Sequence, residues 1–339
     1  MAPRAFDAWF LALADPALAA APPPAPAAWD PAQVCELADW HGVVPALVRN
    51  LRRHWPEAGR GPDPSDPSLR ALLAAAQERL LGRVGFALRL RKQLEPVVAA
   101  LVAGGVPALV LKGPEFADRL YAEPSLRPFT DLDFLLPRDA LADAGAALAR
   151  LGYRRDPPPR GKYRGDYGEE TWRLGDPSAG AIELHWDLVN SPPLRQRCSV
   201  GFGDLQLEPP AAGALPRATP ASLLLVAAVH AAASHRFDRL QPLADVCQAA
   251  RGAAGPVDAA WLADAAARTG AAFALATALR LAEGLFREPA CAELIRRAPC
   301  LARAARLARR VITPHTVLHS RTLAAGLRRQ LYRELLKRR

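Results

Sequence analysis

Apolar residues recur at helical spacing through both ends of the chain and change to short runs and strict alternation in its middle. Ala5 to Ala20 reads as a helix, and the Pro/Ala segment Ala21 to Ala28 cannot continue it. From Asp30 to Arg53, Val34, Leu37, Ala38, Val44, Leu47 and Leu51 outline a helical region broken near Gly42. A polar, Pro-rich loop is expected over Pro56 to Pro67. The longest helical pattern follows, Ser68 to Ala103, with Leu72, Leu80, Val84, Leu88, Leu94 and Val98 on its apolar face, a Gly104-Gly105 stop, and an expected kink at Pro96.

The texture changes at Val106. Val106 to Leu111 is too brief for a helix and suits a buried strand, as does Asp131 to Leu136; Asp139 to Leu151 reads as a helix and Ala181 to Val189 as an alternating strand. From Pro220 onward helices return: Ala221 to His235, Leu240 to Ala250, Asp258 to Arg268, Ala271 to Phe286, and two arginine-rich helices to the end. No internal repeat is present. The expected organisation is a helical region over 1–104, an α/β core over 105–215 and a helical domain over 216–339. Chemistry is expected in the middle, where loops at the strand ends of an open sheet bind ligands.

Composition narrows the class. The chain has 339 residues, half of them hydrophobic, so a sizeable core is available, and 33 prolines with 23 glycines fall short of a low-complexity chain. The longest uncharged run, between Arg217 and Arg236, contains Pro220, Ser222, His230, Ser234 and His235 and makes a poor membrane span. Five scattered cysteines without a Cys-x-x-Cys encode neither a disulfide framework nor a zinc ribbon, and Asp7 and Asp15 flank the apolar stretch near the start, where no clean h-region develops and no signal peptide is expected. A cytoplasmic location is expected. The net charge is +10, but only four of the 44 basic residues are lysine. Such arginine excess, alongside abundant Ala and Pro, is characteristic of GC-rich coding. The positive field would still concentrate anionic ligands such as nucleotides.

Three segments of the middle region carry chemistry. Leu109-Val110-Leu111-Lys112-Gly113-Pro114 outlines a strand, a glycine turn and a helix start, which together with Lys112 suits a polyphosphate; an ordinary strand-to-helix turn with a surface lysine is the plain alternative. In Thr130-Asp131-Leu132-Asp133-Phe134, a period of two puts Asp131 and Asp133 on one side. Two adjacent carboxylates repel and invite a divalent cation with oxygen ligands, unless this is merely an exposed acidic strand start. In Ile182-Glu183-Leu184-His185-Trp186-Asp187, Glu183, His185 and Asp187 share a face. Pairing beside the Asp131 strand would make Glu183 the third carboxylate of a triad able to hold two Mg²⁺ for phosphoryl or nucleotidyl transfer, with His185 as a hydrogen-bonded neighbour.

Taken in order, the Lys-Gly turn, the Tyr121-to-Arg127 linker, the Asp-x-Asp strand, the helix ending in Leu151-Gly152-Tyr153 and the Glu-x-His-Trp strand resemble the uncharacterised nucleotidyltransferase family of the DNA polymerase β superfamily. The matching core runs from about Val106 to Val189. His41-Gly42-Val43-Val44-Pro45 and His230 to Asp245 look more loosely like the family's flanking helical parts. The resemblance implies an α/β fold of the α+β kind, a small mixed sheet flanked by helices. It implies an NTP substrate, two Mg²⁺ on Asp131, Asp133 and Glu183, and transfer of a nucleoside monophosphate to an acceptor. Lys112 and Gly113 stand where the superfamily carries a Gly-Ser turn on the triphosphate, although Pro114 replaces the serine.

Arg127 has the planar fork that suits a phosphate oxygen. His235 and Asp245 are candidates for the acceptor side or for supporting contacts. The expected acceptor is a small molecule or peptide, since no aromatic-basic RNA-binding motif is present; a nucleotide-binding protein without turnover and an RNA-modifying nucleotidyltransferase are the alternatives. His315 and His319 share a helical face without a third metal ligand, and the basic segment from Arg296 to Arg339 is expected to pack its leucines inward and solvate its arginines.

Overall fold

The computed structural model describes residues 5–18, 21–54, 66–158, 166–176 and 178–338. The N-terminal part consists of the helices Ala5–Ala14, Pro31–His41, Val44–His54 and Pro67–Ala103. Side-chain caps start the second and fourth of these: Asp30 accepts from the Ala32 N–H, Asp66 from the Ser68 N–H, and Pro follows each cap as the first helical residue. The first helix ends at Ala14, short of the expected Ala20, because Asp15 folds back on the Ala17 N–H ahead of Pro16. Residues 19–20 of that expected helix lie outside the described residues, as does most of the expected loop from Pro56 to Pro67. The long helix continues through Pro96 as one element.

Five strands form the main sheet: β1 (Leu109–Val110), β2 (Asp131–Leu135), β3 (Arg154–Arg155), β4 (Glu169–Arg173) and β5 (Ala181–His185), in the order β1-β2-β5-β4-β3. β2 and β5 are parallel and the other pairs antiparallel, so the small mixed sheet flanked by helices is present. Two expected strands are shorter than read. The Val106 N–H still bonds to Leu101 of the long helix and Pro107 has no N–H, which leaves Leu109–Val110 to pair. β5 stops at His185; the Trp186 N–H still bonds to Gly168 in the β4 register, and the chain then leaves the sheet as Asp187 accepts from the Val189 N–H and Leu188 bonds to Val200.

Alternation divides the sheet into two faces. Leu132, Phe134, Ile182 and Leu184 are fully buried against Leu90, Val97 and Leu101 of the long helix and Ala144, Ala147 and Leu148 of the helix Leu141–Arg150. Gly180, just before β5, lies so close to Leu90 that an added Cβ would stand 2.1 Å from it. Gln93 closes this contact by donating to the Gly180 carbonyl at 2.8 Å and accepting from its N–H at 3.1 Å. The opposite face carries Asp131 and Asp133, then Leu135, which belongs to a second core shared by the N-terminal and C-terminal helices.

The C-terminal part is helical. Pro220–Val229 ends in a π-turn, His230–Ser234, rather than running on to His235. Gln241–Ala250, Ala259–Arg268 and Ala272–Phe286 follow close to expectation. The last stretch holds four helices instead of two, Pro289–Arg297, Pro299–Val311, Pro314–Leu318 and Leu323–Leu336, because a proline opens each of the first three and Thr322 caps the fourth. Leu323, Leu327 and Leu331 are exposed, contrary to the expectation that the leucines of this region pack inward.

One helix of this bundle fastens the connection between β1 and β2. Gln241, Asp245 and Gln248 lie on one side of Gln241–Ala250 at spacings of four and three. Gln241 donates to the Pro128 carbonyl at 3.2 Å and Gln248 to the Leu120 carbonyl at 2.9 Å. Between them Asp245, fully buried, accepts from Tyr121 Oη at 2.7 Å and from Arg127 at 3.0 and 3.3 Å. Removing one partner from a buried pair leaves an uncompensated charge, which costs about 3–5 kcal/mol. Asp245→Ala is therefore expected to lose stability of that order in urea unfolding. The double substitution Asp245→Leu with Arg127→Met should recover most of it.

Candidate active site

The parallel register sets Asp133 directly opposite Glu183, and Leu135 opposite His185, so Asp131, Asp133, Glu183 and His185 share one face of the sheet. β4 adds Glu169, paired with His185. Asp133 is the centre of this face and is almost wholly buried. Its Oδ1 lies 2.8 Å from Lys112 Nζ and 2.9 Å from His185 Nε2. The same His185 nitrogen stands 3.5 Å from Glu183, while Nδ1 is 3.4 Å from both Glu169 and Asn190. Asn190 in turn donates to Glu169.

Lys112 reaches Asp133 because of its turn. Lys112 at φ 33° and Gly113 at φ 29° both occupy the left-handed region, where a residue with a Cβ is strained. The Leu111 N–H donates to the Asp133 carbonyl at 2.8 Å, which ties this turn to the Asp-x-Asp strand. The helix after it, Lys112–Leu120, is broken at Gly113, so its regular part begins only at Pro114.

The charges separate the two aspartates. Burial would raise Asp133, but the Lys112 charge and the hydrogen bond from His185 outweigh it and hold the carboxyl far below the usual range. Asp131 goes the other way, pushed up by burial and by the neighbouring Asp133 charge. His185 would lose its proton through burial, yet hydrogen bonds to Asp133 and Glu183 raise it to about 9. Burial also raises Glu169. Four carboxylates thus share this face with two cationic side chains, Lys112 and His185.

This donor set fits a divalent cation. Carboxylate oxygens suit a hard ion such as Mg²⁺, and the excess of negative charge on a half-buried face supplies the attraction. Among the described residues, Asp133, Glu183 and His185 bring potential ligand atoms within 4.8 Å of one another. The triad expected from the sequence named Asp131 in place of His185. Asp131 pairs with Ala181, two residues toward the start of the strand, which takes it out of that group while leaving it on the same face.

The other expected residues fall outside this cluster. Arg127, expected at a phosphate oxygen, is buried with its guanidinium on Asp245. Asp245 is accordingly a partner of Arg127 and Tyr121. His235 lies 3.4 Å from Asp238 and edge-on to His230, with ring centroids 4.7 Å apart. His230 opens the π-turn. Burial and the positive charges of Lys112, His235, Arg127 and His185 hold it well below the usual imidazole range. Glu169 and Asn190 were missed. The signal for Glu169 was the alternation of Glu169 and Thr171 with Glu170 and Trp172, obscured because most residues of that segment are polar.

A strand bearing Asp-x-Asp, a parallel neighbour bearing a third acid, and a glycine turn beside them make up a nucleotidyltransferase-like core. The family model described as uncharacterised nucleotidyltransferase matches residues 27–287, and the chain belongs to that family. The match extends well beyond the segment from Val106 to Val189 that carries the motifs. No curated protein and no solved structure matches the chain.

The His185 proton gives the site a measurable pH dependence. A folded value near 9 against about 6.5 in the unfolded chain means that the native state binds more protons between those values. The stability this contributes is complete below pH 6.5 and lost as pH rises through 9. In metal-free protein, the melting temperature is expected to fall more steeply from pH 6.5 to 9 than in His185→Gln. Parallel profiles would contradict the charged state of His185.

Proposed function

We propose that this protein is a Mg²⁺-dependent nucleotidyltransferase that moves a nucleoside monophosphate from an NTP to a small-molecule or peptide acceptor. The observation carrying this reading is the register of Asp133 against Glu183, with Asp131 on the same face and the Lys112-Gly113 turn against it. Asp131, Asp133 and Glu183 would hold two Mg²⁺, which when bound supply Lewis-acid stabilisation of the charge on the phosphates. Lys112, a point charge on a flexible stem, contacts the triphosphate from the turn. Glu183, more open to solvent than Asp133, stands on the acceptor side. In the reaction the acceptor hydroxyl passes its proton to Glu183, its oxygen bonds to the α-phosphorus, the bond from that phosphorus to the bridging oxygen breaks, and pyrophosphate leaves.

His185 is assigned to positioning: held by Glu169 and Asn190 on one nitrogen, it orients Asp133 and Glu183 with the other. The acceptor enters from the side of His230 and His235. A cytoplasmic setting is supported by the five cysteines, all free thiols. No helix of the described residues is long and apolar enough to cross a membrane.

A second reading, nucleotide binding without turnover, is favoured by one feature: Pro114 stands where the superfamily turn offers a serine hydroxyl. The test is release of pyrophosphate from labelled NTPs with Mg²⁺ and candidate acceptors. Asp131→Ala and Asp133→Ala are each expected to reduce turnover by about 10²–10³-fold or more, the scale on which charge-stabilising groups act. Saturable NTP binding with no pyrophosphate under any acceptor would establish the second reading instead.

A further inference from the structure

We propose that Lys112 is a resident counter-ion that couples cation loading to polyphosphate binding: its ammonium holds Asp133 until a phosphate chain draws it away. This inference rests on the reading of the acidic face as a metal site. The geometry is specific. Asp133 Oδ1 receives Lys112 Nζ at 2.8 Å and His185 Nε2 at 2.9 Å, so two donors use the lone pairs of a single carboxylate oxygen. His185 cannot easily vacate its place, because Glu169, Asn190 and Glu183 surround its ring. Lys112 can: its stem carries rotatable bonds and it enters from a turn rather than from the sheet.

A free cation arriving alone must therefore compete with a positive charge already seated on the central carboxylate. A cation arriving with a polyphosphate brings the negative charge that Lys112 can take in exchange. Binding of the two is then mutually favourable, and by linkage each tightens the other by the same factor. The backbone fits such a role. Lys112 and Gly113 hold consecutive left-handed conformations, and the Leu111 N–H bond to the Asp133 carbonyl keeps the base of the turn in place while the side chain changes partners.

The probes are Mn²⁺ alone and the Mn²⁺ complex of inorganic tripolyphosphate, which avoids any assumption about the base. Affinities are read by electron paramagnetic resonance on the full chain. Wild type is expected to bind the complex more tightly than the free ion by roughly tenfold or more, within the usual range of coupling between sites. Lys112→Met should bind free Mn²⁺ more tightly than wild type and the complex more weakly, so that the ratio collapses toward one. Lys112→Gly, which relieves the positive φ while removing the charge, should behave alike and serves if the Met variant folds poorly.

Unchanged or weaker free-ion affinity in both variants overturns the proposal. Asp133→Asn separates the two levels of inference. Loss of free Mn²⁺ there, together with unchanged Lys112 variants, leaves the metal site standing and removes only the coupling. Retention of Mn²⁺ by Asp133→Asn removes the metal site itself and the coupling with it.

Discussion

Asp133 and Glu183 face each other across two parallel strands, with Asp131 and Glu169 on the same side of the sheet. Like charges so placed repel, and the repulsion grows as water is excluded. The sheet tolerates this because its other face gives the strands no alternative. Leu132, Phe134, Ile182 and Leu184 are fully buried beneath the long helix and Leu141–Arg150. A slip of one residue in either strand would turn its carboxylates into that apolar core and expose its leucines. Apolar packing behind the sheet thus enforces acidic crowding in front of it, and Lys112 and His185 offset part of the crowding.

The same constraint explains why so much of the surrounding structure is devoted to fixing strand ends. Gln93 pins the residue before β5 to the long helix. The Leu111 N–H ties the lysine turn to the middle of β2. Asn190 and Glu169 bracket His185 from the edge, so the imidazole has one orientation open to it. Each contact removes a freedom that electrostatic repulsion would otherwise use to pull the acidic groups apart.

Much of this was legible from spacing alone. Asp131 and Asp133 share a face because strands alternate, and the same rule groups Glu183 with His185; nothing tertiary is needed for either step. Pattern left the pairing of the two strands as a condition, and the third acid beside the first two came from resemblance; the parallel sense of the pair was read from neither. What spacing could not reveal is partner choice. Arg127 reads as a free guanidinium because Asp245 lies 118 residues away in sequence, and only packing of the C-terminal bundle brings them together. Glu169 was hidden because β4 is a half-buried strand near the sheet edge with little apolar content, so the hydrophobic signal that marks strands was weak. The end of β5 depends on the Asp187 turn, and the change from α to π winding after Val229 on backbone bonds that no propensity encodes.

The Arg127 and Asp245 pair shows how the helical bundle helps to position the acidic face from outside it. A buried ion pair adds little net stability over apolar residues of similar shape, since desolvation cancels most of its attraction. Its use is geometric. Arg127 lies four residues before Asp131, and its charge, which favours the ionised form of Asp131, is felt there. Fixing that guanidinium with two hydrogen bonds, between anchors from Gln241 and Gln248, fixes the connection from which β2 emerges. Helix Gln241–Ala250 therefore sets where the first aspartate begins, and the sheet register sets where the second meets Glu183. The two halves of the chain define the acidic face jointly, and the family match likewise runs from the N-terminal helices through residue 287 rather than stopping at the sheet.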